Sequence, residues 1–362
     1  MRGADPDTVR RALDTGDPLP GTTGFAGELD GRLLRDVLGR EPLYADRESG
    51  DWGHDPTALG EPVAVPAGHV RDPSEAAGAE RIWSLPDPES RSGPEAVEVV
   101  RRALDAALAD AAGDRAGTAV AFSGGVDSAL LAARLDAPLY VAGFPDSADV
   151  AAAREGARLL GREPDLRVVE LDHGTLEATV PDVVAATGRT NPMDLGIALP
   201  LFLVARRAAA DGFDRLAVGQ GADELFGGYD KVARAPEDPR VAADTVRGAR
   251  REVLGSLPDQ LPRDVLVLRA AGVEPVTPLL DDRVVRAALE LGGGALVQRG
   301  ERKWALRLAA RAWLPDRLAF RPKRAVQYGS DVADELDRLA RRNGFKRRMD
   351  DHLGQYIDSL VG

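Results

Sequence analysis

Apolar and polar positions between residues 118 and 219 form short apolar runs separated by longer segments with a helical repeat. The apolar runs predict buried strands at residues 118–122, 138–144, 167–171 and 214–219. The helical repeats predict helices at residues 128–135, 149–160, 176–187 and 195–210. Because strands that alternate with helices pair in parallel, the pattern predicts an α/β fold, with helices on both faces of a parallel sheet and ligand sites at the carboxyl ends of its strands.

The segments on either side of this region differ from it in composition and in their hydrophobic pattern. Residues 1–93 are rich in Pro, Gly and Asp, and an Asp30-Gly31 hairpin signal separates apolar runs at 23–29 and 32–38, which predicts a small β-containing N-terminal region. A helical repeat with Pro94 as its start signal follows, so we expect a domain boundary near residue 93. Residues from about 236 onward are predicted to be mainly helical. The expected domains are therefore 1–93 and 94–362, the second ending in a helical C-terminal subdomain.

Composition excludes several classes of protein. Apolar residues make up 44% of the 362 residues, yet no apolar stretch approaches the roughly 20 residues that span a bilayer. The chain has no Cys and four scattered His residues, which excludes disulfides, thiolate nucleophiles and cysteine-based zinc sites. The first 19 residues carry four Asp and no secretory signal, so a cytoplasmic location is expected. A net charge of -12 opposes general binding to nucleic acid or anionic membranes.

The first predicted strand leads into Ser123-Gly124-Gly125-Val126-Asp127-Ser128 and then into a predicted helix. Backbone N–H groups of such a loop, together with a helix N-terminus, can hold phosphate oxygens. The loop is not a Walker A motif, and Gly219-Gln220-Gly221 lacks the third glycine of a dinucleotide fingerprint. The alternative is an ordinary strand-to-helix turn with Ser and Asp as capping residues.

A second glycine-rich acidic segment follows the predicted strand at 214–219. It reads G-Q-G-A-D-E-L-F-G-G-Y over residues 219–229. A tight turn with a capping Asp would also explain it, but two such loops that each follow a strand favour a functional interpretation.

The two segments together resemble a known family. S-G-G-x-D-S is similar to the pyrophosphate loop of the N-type ATP pyrophosphatases, and residues 219–229 resemble the G-E-G-x-D-E-x-F-G-G-Y segment of the asparagine synthetase family, in the order that this family uses. The resemblance covers residues 95–330. It includes Asn191-Pro192, the segment Pro278-Leu279-Leu280-Asp281, a K-x-x-L-R helix from Lys303 to Arg307, and an R-x-K segment from Arg321 to Lys323.

The resemblance implies cleavage of ATP to AMP and pyrophosphate while a carboxylate is adenylated. It places the phosphates on Ser123, Gly124, Gly125 and Ser128, and adenine against the backbone of residues 140–144, Val141 included. It implies ATP contacts from Gly219, Gly221 and Lys303, catalytic roles for Gln220, Asp223 and Lys323, and Mg²⁺ on Asp127 and Asp223. Carboxylates suit Mg²⁺, which neutralises charge on the leaving pyrophosphate. For Lys303, Arg307 and Lys323, a solvated helix face is the alternative.

Three departures limit what the resemblance implies. Gln220 stands where glutamine-dependent asparagine synthetases carry Glu, and a neutral amide cannot act as a general base. Val276 stands at the family's Arg, which removes a positive charge that the resemblance would place there. Residues 30–44 resemble the late part of the family's glutaminase domain, but residue 2 is Arg2 and the chain has no Cys nucleophile. We therefore expect a truncated, inactive glutaminase-like region, with nitrogen coming from free ammonia or a separate glutaminase subunit.

A basic cluster remains at residues 338–348: Arg338, Arg341, Arg342, Lys346, Arg347 and Arg348. This cluster would suit either a contact with RNA or a solvated helix face, and the net charge of the chain favours the solvated face. Apolar positions at 332–349 predict that this tail packs on a core or a partner.

The sequence predicts an ATP-dependent, amide-forming ligase, most simply one that makes asparagine from aspartate and ammonia. Three alternatives stay open: another acyl-adenylate ligase such as a β-lactam or lasso-peptide cyclase, a tRNA-modifying enzyme with the same loop, and a non-catalytic nucleotide-binding scaffold. Assembly as a homo-oligomer also stays open.

Overall fold

The computed structural model describes residues 1–73, 78–113, 117–235, 243–322 and 331–362. The chain divides into two compact units. The first comprises Met1–Asp114, Gly219–Pro262 and Thr277–Trp313, and the second comprises Arg115–Val218, Arg263–Val276 and Leu314–Gly362. The boundary near residue 93, predicted from the change in composition and the helical repeat that follows, is not tested by this division and stays a prediction.

The described residues form fourteen short strands and sixteen helices of varied length. The strands are β1 (Ala26–Leu29), β2 (Arg32–Arg35), β3 (Tyr44–Asp46), β4 (Trp52–Gly53), β5 (Pro62–Ala64), β6 (His69–Arg71), β7 (Ala79–Arg81), β8 (Thr118–Ala121), β9 (Leu139–Gly143), β10 (Leu166–Glu170), β11 (Arg215–Ala217), β12 (Glu274–Val276), β13 (Val297–Gln298) and β14 (Glu301–Arg302). The helices are α1 (Pro6–Thr15), α2 (Gly93–Gly113), α3 (Val126–Arg134), α4 (Ala148–Leu159), α5 (His173–Thr187), α6 (Pro192–Ala210), α7 (Ala222–Phe226), α8 (Asp230–Ala233), α9 (Val246–Leu254), α10 (Leu257–Ala270), α11 (Asp282–Leu289), α12 (Gly293–Leu296), α13 (Trp304–Ala310), α14 (Asp316–Ala319), α15 (Val332–Arg342) and α16 (His352–Val361). Short 3₁₀ turns cover Pro56–Ala58, Glu163–Asp165 and Pro278–Leu280.

The second unit is built on a five-stranded sheet in the order β10-β9-β8-β11-β12, and every neighbouring pair is parallel. The predicted α/β fold is confirmed, and four of its strands lie where the apolar runs predict them. The fifth strand, β12, lies in the region predicted to be mainly helical, and the apolar runs did not predict it. Its three residues include Pro275, which is tolerated because β12 pairs at the edge of the sheet.

Helices flank this sheet as predicted. Tyr140 and Ala142 of β9 are buried in a core cluster that also contains side chains of α5 and α6. Because side chains alternate along a strand, Val141 points to the opposite face of the sheet. Helix α4 also packs on this sheet and contacts β9 and β10.

The C-terminal helices α15 and α16 pack on the same unit. Val332, Leu336 and Ile357 are fully buried in the core cluster of the sheet. The prediction that this tail packs on a core is therefore confirmed at Val332 and Leu336. Met349, which follows the end of α15, is 37% exposed and does not pack on this core.

The first unit contains two antiparallel sheets, ordered β1-β2-β6-β7 and β4-β3-β5. Asp30 and Gly31 both have positive φ, +50° and +81°, and they form the two-residue turn of the β1–β2 hairpin. Such turns match the right-handed twist of the strands they join. The hairpin signal and the small β-containing region are confirmed. No helix in the described part of the chain is long and apolar enough to span a membrane.

A buried ion network connects the residues after β2 to the N-terminus of α11. Arg40 Nε donates to Asp36 at 2.8 Å, and its Nη1 donates to Asp282 at 2.7 Å. All three side chains are almost completely buried. Burial raises the pKa of Asp282, whereas the two carboxylates outweigh burial and raise the pKa of Arg40. Arg40 and Asp36, both within residues 30–44, thus have a structural role in this unit.

Candidate functional site

The S-G-G-V-D-S loop of the second unit follows β8, and its last three residues form the first turn of α3. The Ser128 hydroxyl donates to Gly125 O at 3.2 Å and accepts from Ser123 N at 3.2 Å, and the two serine hydroxyls are 3.3 Å apart. The serines therefore fold the loop back onto the first turn of the helix. This is the strand, loop and helix context that a phosphate-binding loop requires.

Gly124 is needed at its position in this loop. Its φ is +73°, and a Cβ there would lie 2.4 Å from the carbonyl oxygen of Ala152 on α4. Any side chain would collide with the helix backbone, so the loop can approach α4 this closely only with glycine.

Asp127 is part of the loop, and Val141 lies beside the chain that enters it, within the same unit. Asp127 is in the first turn of α3 and is half-buried. Phe122 N donates to Tyr140 O at 2.7 Å, so the chain entering the loop runs beside β9 next to Val141. The sequence-predicted residues 123–128 and 141 are thus brought together at the carboxyl end of the sheet.

Arg321 also contacts this loop, although the sequence analysis gave it no role of its own. One of its terminal nitrogens donates to Ala152 O at 2.7 Å and to Gly124 O at 3.4 Å, and the other donates to Glu155 at 2.8 Å. The available signal was its position two residues before Lys323. Lys323 itself lies outside the described residues.

The second signature lies in the first unit. Gly221 begins α7 with φ +84°, after the half-buried Gly219 and Gln220. Asp223, in the first turn of α7, forms an ion pair with Lys303, whose Nζ lies 2.8 Å from Asp223 Oδ1. The Lys303 side chain is 1% exposed. This burial rules out a solvated helix face for Lys303.

Arg307 on α13 is also buried. It is 3% exposed, and its Nε donates to Arg302 O at 2.8 Å. The solvated-face interpretation was therefore wrong for both basic residues of the K-x-x-L-R helix, because tertiary packing covers the face that carries them.

Gly228 makes room for the ion pair. A Cβ at Gly228 would lie 1.8 Å from Asp223 Oδ1 and 2.5 Å from Lys303 Cε. Its N–H donates to Asp223 O at 2.7 Å. The second glycine of the Gly-Gly pair therefore has a steric cause, since any larger residue would displace the Asp223 carboxylate or Lys303.

Glu224, Tyr229 and Arg250 hold α7 from other sides, and the sequence analysis missed all three roles. Glu224 is buried and accepts a hydrogen bond from the Tyr229 hydroxyl. Burial, followed by the neighbouring Asp223 charge, raises the pKa of Glu224. The buried Arg250 side chain donates to Ala288 O at 2.7 Å and Leu225 O at 3.3 Å, and burial lowers the pKa of Arg250 to about 10. Its charge lies at the carbonyl ends of α7 and α11, where helix dipoles favour a cation.

The donor chemistry suits Mg²⁺. Asp127 belongs to the second unit and Asp223 to the first. The described residues contain no group of three or more acidic or His side chains that could hold a metal ion by itself. Magnesium is usually held by one or two carboxylates together with substrate phosphates, and each aspartate offers one such carboxylate in its own unit.

The C-terminal basic cluster has nearby acids as partners. Arg341 and Arg347 pair with Asp337 at 3.1 and 2.6 Å, and Arg338 pairs with Glu335 at 2.8 Å. The Arg347 hydrogen bond is the largest cause that lowers the pKa of Asp337 to about 2. This pairing supports the solvated-face interpretation of the cluster.

Together, the parallel sheet and the loop at its carboxyl edge define an α/β protein of the kind that binds ligands beside a glycine-rich turn. The chain belongs to the asparagine synthase family, whose sequence model matches residues 99–269 and 247–359.

Individual relatives agree with this assignment. A putative glutamine-hydrolysing asparagine synthetase 1 of Methanocaldococcus jannaschii is 30% identical over 306 residues, 75% of this chain and 56% of that protein. The carboxyethyl-arginine beta-lactam-synthase of Streptomyces clavuligerus is 31% identical over 292 residues, 77% of this chain and 54% of that protein. Asparagine synthetase B of Escherichia coli is 28% identical over 197 residues, 52% of this chain and 34% of that protein. The chain thus spans about half the length, or less, of these relatives.

Proposed function

We propose that this chain is an ATP-dependent, amide-forming ligase. A carboxylate oxygen attacks the α-phosphorus of ATP, the bond to the bridging oxygen breaks, and pyrophosphate leaves. An amine then attacks the acyl carbon of the adenylate and AMP leaves. The observation that supports this most strongly is the S-G-G-V-D-S loop, which lies between a parallel strand and a helix N-terminus in a chain of the asparagine synthase family.

The proposal assigns phosphate binding to four residues of the loop and adenine binding to the neighbouring strand β9. The N–H groups of Gly124 and Gly125 and the hydroxyls of Ser123 and Ser128 hold the phosphates, as expected for a glycine-rich loop before a helix. The backbone of Val141 contacts adenine. Gly124 allows the loop to lie against α4.

Asp127 and Asp223 are the proposed magnesium ligands, and bound Mg²⁺ would neutralise charge on the departing pyrophosphate. Lys303 holds Asp223 through their ion pair rather than binding ATP from a solvated face. We keep Gly219, Gly221 and Lys323 as proposed contacts of ATP and its phosphates, the last on the family resemblance alone. Gln220 can donate a hydrogen bond to the acyl-adenylate or the amine, but it cannot accept a proton as a general base.

The simplest substrates are aspartate and ammonia, which give asparagine. The chain contains no Cys, so it has no thiol with which to release ammonia from glutamine. We therefore propose free ammonia, or ammonia from a separate glutaminase subunit, as the nitrogen source.

A second candidate is intramolecular amide formation, in which an amine of the substrate replaces ammonia. Two observations favour it: the similarity to a beta-lactam-synthase from Streptomyces clavuligerus, and the apolar Val276 at a family Arg position. Val276 is buried at the end of β12, where its carbonyl accepts from Val218 N at 3.0 Å. No cation from this position can therefore recognise a second substrate carboxylate.

Pyrophosphate release from Mg-ATP tests the proposal. Purified protein is given a panel of amino-acid carboxylates with and without ammonium, with Asp127→Ala as the inactive variant and Asp136→Asn, on the exposed loop after α3, as the matched control. Release that needs aspartate and ammonium, and is lost only in Asp127→Ala, supports an ammonia-using asparagine synthetase. Release without ammonium, or with another carboxylate, supports the second candidate or another ligase. No release under any condition would contradict ATP cleavage and favour a nucleotide-binding scaffold.

A further inference from the structure

The Gly124–Gly125 peptide is the most easily reoriented part of the loop. Two consecutive glycines have no Cβ to restrict rotation of the peptide plane between them, and Gly124 already occupies a left-handed conformation at φ +73°. A trans peptide points its C=O and its N–H in opposite directions. The direction of Gly124 O therefore decides where the N–H of Gly125 points.

Arg321 contacts that carbonyl. Its guanidinium donates to Gly124 O at 3.4 Å and to Ala152 O at 2.7 Å, so one charged group bridges the loop and α4. The other terminal nitrogen donates to Glu155 at 2.8 Å, one turn further along α4. Hydrogen bonds from a charged donor are about twice as strong as neutral ones, and a planar guanidinium with several donors fixes directions as well as distances.

The opposite side of this peptide faces the serine. Gly125 N lies 3.5 Å from Ser123 Oγ, within hydrogen-bonding range. With Gly124 O directed toward Arg321, the Gly125 N–H is directed toward the side of the loop that carries Ser123. That is the side on which the proposed function places phosphate oxygens.

We infer that Arg321 is a positioning residue that locks the Gly124–Gly125 peptide with its N–H directed into the phosphate-binding side of the loop. The phosphate part of this inference rests on the proposed function. The locking of the peptide does not, since it follows from the contacts of Arg321 alone. Arg321 thus acts through the backbone of Gly124 and Gly125.

Hydrogen exchange tests the locking without any nucleotide. Full-length Arg321→Gln is compared with wild type and with Arg317→Gln, which removes an exposed neighbour that pairs with the same Glu155 at 3.5 Å but makes no described contact with the loop. We expect faster amide exchange in peptides covering residues 122–128 in Arg321→Gln and unchanged exchange in Arg317→Gln. Equal exchange in all three proteins, or equal acceleration in both variants, would overturn the inference.

Steady-state kinetics test the consequence for ATP. We expect the KM for ATP in pyrophosphate release to rise about tenfold in Arg321→Gln, as for the loss of a charged hydrogen bond, with a smaller change in kcat. Arg321→Lys should recover part of the loss, since an ammonium keeps the charge and the donors for the carbonyls but lacks the second terminal nitrogen that donates to Glu155. An unchanged KM beside normal wild-type turnover overturns the phosphate part. If wild type releases no pyrophosphate, the proposed function and the phosphate part both fail, and the exchange result alone decides the locking.

Discussion

Lys303 Nζ lies 2.8 Å from Asp223 Oδ1, and the lysine that makes this ion pair has a left-handed backbone with φ +58°. A non-glycine residue in that region costs about 1–2 kcal/mol and persists only where its surroundings determine it. The strain is therefore offset by the packing of a side chain that is 1% exposed and by its charge beside Asp223. Lys303 fixes the carboxylate that the proposed function assigns to magnesium.

Removal of the Lys303 charge should destabilise the protein. Lys303→Met leaves Asp223 without this cation in a partly buried position, and we expect the free energy of unfolding to fall by about 2–4 kcal/mol. Lys231→Met is the matched control, since Lys231 is exposed, and it should change stability by no more than about 0.5 kcal/mol. Urea denaturation measures both values. A Lys303→Met protein as stable as the control would show that the ion pair is unimportant for folding.

Gly124→Ala should lower the free energy of unfolding by more than the positive φ of this residue alone explains. Gly161 offers the comparison, because its φ is +70° and nothing lies within 4 Å of its Cβ position, whereas the Gly124 Cβ would lie 2.4 Å from Ala152 O. We expect Gly161→Ala to lose about 1 kcal/mol and Gly124→Ala to lose at least twice that. Thermal unfolding compares the two variants. Equal losses would mean that the loop can move away from α4 at little cost.

The ion network of Arg40 should be essential to the first unit. Arg40→Met leaves the buried carboxylates of Asp36 and Asp282 without their shared cation, and breaking such a pair costs about 3–5 kcal/mol. Arg32→Met, on the exposed start of β2, should stay within about 0.5 kcal/mol of wild type. Chemical denaturation distinguishes these outcomes. A small loss in Arg40→Met would mean that the two carboxylates are protonated at little cost.

Asp211 should make stability depend on pH in the acid range. The Tyr140 hydroxyl, followed by Arg167, lowers the pKa of Asp211 from 3.8 to about 2, against the opposing effect of burial. A carboxyl with a lower pKa in the folded state stabilises the fold above its unfolded pKa and loses that contribution as the pH falls through its folded pKa. The stability difference between wild type and Asp211→Asn should therefore shrink between pH 4 and pH 2.

Tyr140→Phe provides the second arm of this test. It removes the largest cause of the shift, so the pKa of Asp211 should return toward 3.8, and the stability lost on acidification should become smaller and be complete at a higher pH. Urea midpoints measured across this range give the profiles. Identical profiles for wild type and Asp211→Asn would exclude Asp211 as the titrating group.

Local pattern was enough to predict most of the sheet and both loops. Apolar runs and helical repeats depend on which faces are buried, and this requirement acts within a few residues, so four of the five strands and the flanking helices lie where the sequence predicts them. The Asp30-Gly31 turn was predictable for the same reason, since its backbone conformation depends on two adjacent residues. Strand β12 was not, because three residues containing Pro275 show no periodicity and only the edge of the sheet makes them a strand.

The sequence by itself determined the family resemblance, the absence of cysteine chemistry and the position of each glycine-rich loop along the chain. It did not show that Lys303 is buried against Asp223, nor that Arg321 reaches Gly124 across 197 residues. These contacts join residues that are remote in the chain, and each depends on how several elements pack around a charged side chain. Only the tertiary structure therefore decided which basic residues are solvated and which hold the two loops.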